Sequence, residues 1–144
     1  EILAQIRDEM EQRLDTMGVA LIWQQAPNVP DPQLPEADAL HLYRIAREAI
    51  SNSVRHAGAS RIRIRVSATD QLLLMDFTDD GEGFPQERIG KGRGTSNMRK
   101  RAEELHGNID WDPGTEGGTK VVLRVPIPPS EGSPATEVQA MIAS

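Results

Sequence analysis

Apolar residues recur at helical spacing through residues 1–17, at Ile2, Ile6, Met10, Leu14 and Met17, and Gly18 follows as a stop. Val19 to Trp23 is a short apolar run that predicts a buried strand. Ala26 to Pro35 holds four prolines and predicts a loop. Residues 36–56 predict the strongest helix, with Leu42, Tyr43, Ala46, Ala49, Ile50 and Val54 among its apolar positions and Gly58 as its end. Arg61 to Val66 alternates strictly between charged and apolar, which predicts a half-buried strand. Asp70-Gln71 is a turn into a second strand over 72–78, so the two strands predict a hairpin. Residues 79–94 are glycine-rich and irregular. A helix is expected over 96–106, then strands over 108–111 and 119–125 around a Pro-Gly-Thr-Glu-Gly-Gly turn. From Pro126 onward Pro, Ser and Gly dominate, which predicts a mobile tail.

Helix, strand, helix, two strands, loop, helix and two strands make a two-layer α/β sandwich the expected fold, with a mixed, mostly antiparallel sheet packed on helices. The chain has 144 residues, enough for one domain with a real core. Hydrophobic content of 38% and charged content of 26% suit a globular domain. With no cysteine, neither disulfides nor thiolate metal sites hold it together. No apolar run approaches the roughly 18 residues of a membrane span. A net charge of −6 argues against general nucleic-acid binding. The chain opens Glu1-Ile2-Leu3 without an initiator Met, as expected of a piece of a longer protein.

Both common nucleotide fingerprints are missing. Gly90-Lys91 is followed by Gly92 and lacks the spacing of a P-loop, and Gly92-x-Gly94 has Asn97 where a dinucleotide fold needs a third glycine. Three other stretches carry candidate chemistry. On the helix over 36–56, Glu48, Asn52 and Arg55 fall within about 60° of one another, opposite the apolar stripe. That face is either a solvated one laced by pairs such as Arg44 with Glu48, or an acid, an amide and a cation gathered for a ligand. An amide oxygen is a hard ligand, so Asn52 could hold Mg²⁺ beside a triphosphate. Asp79-Asp80-Gly81-Glu82-Gly83 leaves a strand and turns at once, either a plain Asp-Gly turn or a carboxylate placed to accept from an exocyclic amine. Gly90-Lys91-Gly92-Arg93-Gly94 runs into a helix expected to start near Thr95 or Ser96, and a glycine loop feeding a helix N-terminus is a natural anion site.

Taken jointly, these stretches resemble the ATP site of the GHKL superfamily, and most closely the catalytic ATP-binding domain of bacterial sensor histidine kinases. Tyr43 to Ala57 resembles their N box, in the form found in kinases of the nitrate-response type. Asp79 to Gly83 resembles the G1 box, and Gly92-x-Gly94 with the helix behind it resembles the G2 box. The resemblance covers roughly residues 18–127. It implies Asn52 as the Mg²⁺ ligand, Glu48 as the base or orienting acid, and Arg55 with His56 as phosphate contacts. It further implies Asp79 as the reader of the adenine amine, with Gly81 and Gly83 as the glycines of its loop. Lys91, Gly92, Arg93 and Gly94 are implied as the triphosphate loop of a mobile lid, and Thr119 as a helper of Asp79, with or without an intervening water.

Residues 1–17 are then expected to be the end of an upstream helical dimerisation domain or its linker, and 128–144 a flexible tail. His41, His56 and His106 all fall inside the ATP-binding region, so the phosphoacceptor histidine lies elsewhere in the parent. The implied activity is transfer of the γ-phosphoryl group of Mg·ATP to that histidine, on the kinase's own dimerisation domain or the partner protomer of a homodimer. Relay to a response regulator follows. The implied location is cytoplasmic, with a parent that is membrane-anchored in many such kinases. Two other readings use the same site: an anti-sigma-type serine kinase, and a non-catalytic ATP-binding signalling module.

Overall fold

The computed structural model describes residues 2–81, 93–113 and 118–127. Along them run α1 (Ile2–Thr16), β1 (Ala20–Gln25), α2 (Glu36–Ala57), β2 (Arg61–Ala68), β3 (Leu72–Asp79), α3 (Arg93–Glu104), β4 (Asn108–Pro113) and β5 (Thr119–Pro126). The strands form a single sheet in the order β1-β2-β3-β5-β4. β1 runs parallel to β2, and every other neighbouring pair is antiparallel. A parallel pair needs a crossover, and α2 supplies it. The fold is the mixed, mostly antiparallel sandwich that the element order predicts.

Alternation sorts the two faces of the sheet. Ile62, Ile64 and Val66 of β2, Leu73, Met75 and Phe77 of β3, and Val121, Leu123 and Val125 of β5 all point inward and are buried. They share one core with Leu42, Ile45, Ala46, Ala49 and Ile50 of α2 and Met98 and Ala102 of α3. Their neighbours in sequence, Arg61 and Arg65 on β2 and Asp110 and Asp112 on β4, are exposed on the other face. There Arg124 pairs with Asp110 at 2.9 Å.

α1 joins the same core through Leu3, Ile6, Met10 and Leu14. Each such side chain, fully buried, is worth roughly 1.5–3 kcal/mol. Met17, expected on that stripe, lies past the helix end and is 49% exposed. A polar clasp ties α1 to α2: the Tyr43 hydroxyl donates to Glu9 at 3.0 Å and accepts from Arg13 at 3.3 Å.

Turn chemistry sets the ends that matter for the site. Gly58 stops α2 in the left-handed region, at φ 63°, and its N–H donates to the Ser53 carbonyl. In the β2–β3 hairpin the Thr69 N–H donates to the Leu72 carbonyl at 2.9 Å, and the Thr69 hydroxyl accepts from Leu72 N–H at 3.1 Å. α3 starts at Arg93, two residues before the expected start, so Arg93 and Gly94 belong to its first turn and not to a loop before it. Helical hydrogen bonding there outweighs the low propensity of Gly94.

Candidate functional site

α2, the end of β3, the start of α3, β4 and the start of β5 meet around one cleft. It holds about 320 Å³ of atom-free space, part of it continuous with solvent. Ala49, Asn52 and Ser53 line it from α2, Asp79 from β3, Thr95 from α3, Trp111 from β4, and Thr119 and Val121 from β5. The walls are mostly apolar, and a carboxylate sits among them.

That carboxylate is Asp79, only 2% exposed. A buried ion survives when it is well hydrogen-bonded, and three donors converge on this one. Oδ1 accepts from the Gly81 N–H at 2.9 Å and the Thr119 N–H at 3.3 Å. Oδ2 accepts from the Ser53 hydroxyl at 2.7 Å. Thr119 therefore meets Asp79 directly, through its backbone, with no water needed for the contact. Register explains the meeting: β3 and β5 are antiparallel neighbours, so the last residue of one lies beside the first of the other. Gly118 makes the approach possible, since a Cβ there would stand 2.1 Å from Asp79 Oδ1 and 2.3 Å from its carbonyl oxygen.

Asp80, the other half of the Asp-Asp pair, has a different task. It accepts from the Ser60 N–H at 2.9 Å, the Arg61 N–H at 3.0 Å and the Ser60 hydroxyl. The Ser60 hydroxyl bond, helped by the two backbone donors and opposed by desolvation, lowers its pKa below the ordinary 3.8. Asp80 thus pins the chain leaving β3 to the start of β2.

Glu48 and Asn52 are half-buried one turn apart on α2, with the exposed Arg55 a further turn on. Arg55 Nη2 lies 3.7 Å from Glu48 Oε1. The acid, the amide and the cation do share a face, and Asn52 carries it into the cleft. Among the described residues no group of three or more His, Cys, Asp or Glu converges. Asn52 offers an amide oxygen, a hard donor of the kind Mg²⁺ combines with phosphate and water ligands.

Gly81 supplies a donor to Asp79, as above. Gly83, Lys91 and Gly92 lie outside the described residues, as do the side chains of His56 and Arg93. Gly94 sits in the first turn of α3, whose Thr95 is buried against the cleft.

The sequence pattern singled out neither Ser53 nor Gly118. Ser53 had a signal: a serine on the buried stripe, four residues past Ala49 and three past Ile50, calls for a partner. Gly118 enters the resemblance only as the glycine before Thr119 and otherwise reads as half of a turn, and only the folded pairing reveals what it makes room for. Trp111 reaches the cleft from an edge strand, with Arg99 of α3 5.3 Å from its ring centre.

Known proteins resemble this chain in sequence and in fold. Residues 37–129 match the family described as histidine kinase-, DNA gyrase B-, and HSP90-like ATPase. Sensor protein VraS of Staphylococcus aureus (strain COL) is 31% identical over 100 residues, 69% of this chain and 29% of that protein. The chain thus spans under a third of the length of that relative. The crystal structure of the ATP binding domain of PrrB from Mycobacterium tuberculosis superposes with a TM-score of 0.70 at 20% identity, covering 88% of this chain and 94% of that one. Erythrobacter litoralis EL346, a blue-light activated histidine kinase, gives a TM-score of 0.70 at 21% identity, covering 87% of this chain and 40% of that one. At these identities the structural likeness establishes the fold. Among the described residues no helix is long and apolar enough to cross a membrane.

Proposed function

Because the chain belongs to the histidine kinase-, DNA gyrase B- and HSP90-like ATPase family, we propose that it is the ATP-binding catalytic domain of a sensor histidine kinase. It would pass the γ-phosphoryl group to a histidine on the dimerisation domain of the parent. The observation that carries this is the Asp79 carboxylate, buried at the end of a cleft that Asn52 also lines. The similarity to a sensor protein favours a histidine acceptor over a serine one.

Each part of the nucleotide meets a different element in this reading. Asp79 accepts from the exocyclic amine of adenine. Guanine has an oxygen at that place and would leave the buried carboxylate facing an acceptor, which costs about 1–3 kcal/mol or more. The base lies against Ala49, Trp111 and Val121. The N–H groups opening α3, from Arg93 and Gly94 onward, favour phosphate oxygens, and Lys91 and Gly92 are assigned to the same phosphates. Bound through Asn52, Mg²⁺ would supply charge neutralisation on the phosphates. Glu48 orients the incoming imidazole or takes its proton, and Arg55, with His56, holds its place along the phosphate side.

Catalysis is then mainly positioning and charge stabilisation. α1 is the link to the upstream helical domain of a homodimeric parent, and 128–144 a tail. A response regulator would receive the phosphoryl group in turn, which places this domain in the cytoplasm. Titration calorimetry tests the reading. Asp79→Asn is expected to lower ATP affinity at least about thirtyfold, since the amide turns a donor toward a donor. Unchanged affinity would refute it.

A further inference from the structure

An ionised carboxylate offers about four acceptor positions. Among the described residues, three of those on Asp79 are filled, two on Oδ1 by backbone N–H groups and one on Oδ2 by the Ser53 hydroxyl. The backbone donors at Gly81 and Thr119 come with the fold and do not depend on a side-chain functional group. Ser53 is the one side-chain donor in the set, and its identity is free to change. Its placement is specific as well: it is 8% exposed, lines the cleft, and follows Asn52 directly on α2.

The geometry matters because the outer torsion of an aspartate is soft, with a broad, roughly two-fold profile. Two bonds on Oδ1 hold one oxygen and leave the carboxylate free to swing Oδ2 about it. A third bond, on Oδ2 at 2.7 Å, fixes the plane. We infer that Ser53 is a positioning residue for base selection: its hydroxyl orients Asp79 so that one remaining acceptor position on Oδ2 meets an exocyclic amine. This rests on the reading of the cleft as an adenine site and assigns the selectivity of that site to a second residue.

The test compares ADP with inosine diphosphate, which differs from it in carrying a carbonyl oxygen where adenine has the amine. Calorimetry on the 144-residue chain would give both affinities for the wild type, Ser53→Ala and Ser53→Thr. Ser53→Ala is expected to lose about tenfold in ADP affinity, the worth of one hydrogen bond to a charged group, with inosine diphosphate affinity unchanged. The preference for ADP then shrinks about tenfold, and retained inosine diphosphate binding certifies the fold. Ser53→Thr keeps the hydroxyl and is expected to keep the preference. An undiminished preference in Ser53→Ala, equal losses for both ligands, or the same loss in Ser53→Thr would each overturn the inference. A wild type that binds both nucleotides equally would remove the adenine reading itself, and this inference with it.

Discussion

The two ends of the cleft are built on different terms. At the closed end Asp79 is almost fully buried and takes donors from α2, from its own loop and from β5. Toward the open end, on α2 beside the lining residue Asn52, Glu48 and Arg55 approach only to 3.7 Å, with side chains 31% and 62% exposed. An exposed pair of that length contributes at most about 1 kcal/mol. The closed end is therefore preorganised by the fold, whereas the open end, in the proposed function, would be left for the nucleotide and the acceptor to organise. In the proposed reading, recognition and chemistry are thereby separated along one helix: Ser53 would face the base side, while Glu48 and Asn52 would face the reaction side.

The sharpest way to break that separation is Asn52→Ala. It should abolish phosphoryl transfer to a supplied acceptor domain while leaving the fold and the thermal midpoint nearly unchanged, since Asn52 is half-buried. Normal transfer rates in a radiolabel assay would remove Asn52 from the metal role, and a collapsed fold would show that the open end is structural after all.

Gly118→Ala attacks the closed end instead. The new Cβ would land 2.1 Å from Asp79 Oδ1 and 2.3 Å from the Asp79 carbonyl oxygen, which is backbone and cannot swing away. Overpacking of this kind costs about 1–3 kcal/mol. ATP affinity should fall by about tenfold or more, together with the melting temperature. A variant that binds ATP like the wild type would show that the Asp79 contacts can yield to a side chain at residue 118.

The smallest effect belongs to Asp80, which shares a sequence motif with Asp79 but not its place. Its pKa is lowered on folding, so its anchoring to Ser60 and Arg61 stabilises the protein fully above pH 3.8. That contribution fades as the pH falls through the lower folded value. Asp80→Asn should therefore melt below the wild type at neutral pH, with the gap closing under acid conditions. A gap that is constant with pH would assign the loss to something other than the charge.

Much of this architecture could be read along the chain, for reasons tied to particular residues. Arg61 to Val66 alternates because one face of β2 is buried and the other is wet. Gly58 marked the end of α2 because few residues other than glycine accept φ near 63° there. Asp79 stood out as an acid followed directly by a turn. Strand order was not legible: nothing local in β5 tells that it inserts between β3 and β4. The role of Gly118 depends on that insertion, and so it was hidden too. Ser53 was passed over because Asn52 beside it drew the chemical reading, although its place on the apolar stripe was visible.

The donors gathered on Asp79 also have a temporal meaning. The Ser53–Asp79 bond closes over 26 residues and the Thr119–Asp79 bond over 40. Contacts so distant along the chain form late in folding, because loop closure must precede them. A nascent chain on the ribosome cannot complete this pocket until β5 has been synthesised. Nucleotide binding should then be a property of the finished domain, with little affinity in any truncated or half-folded form that could trap ATP unproductively.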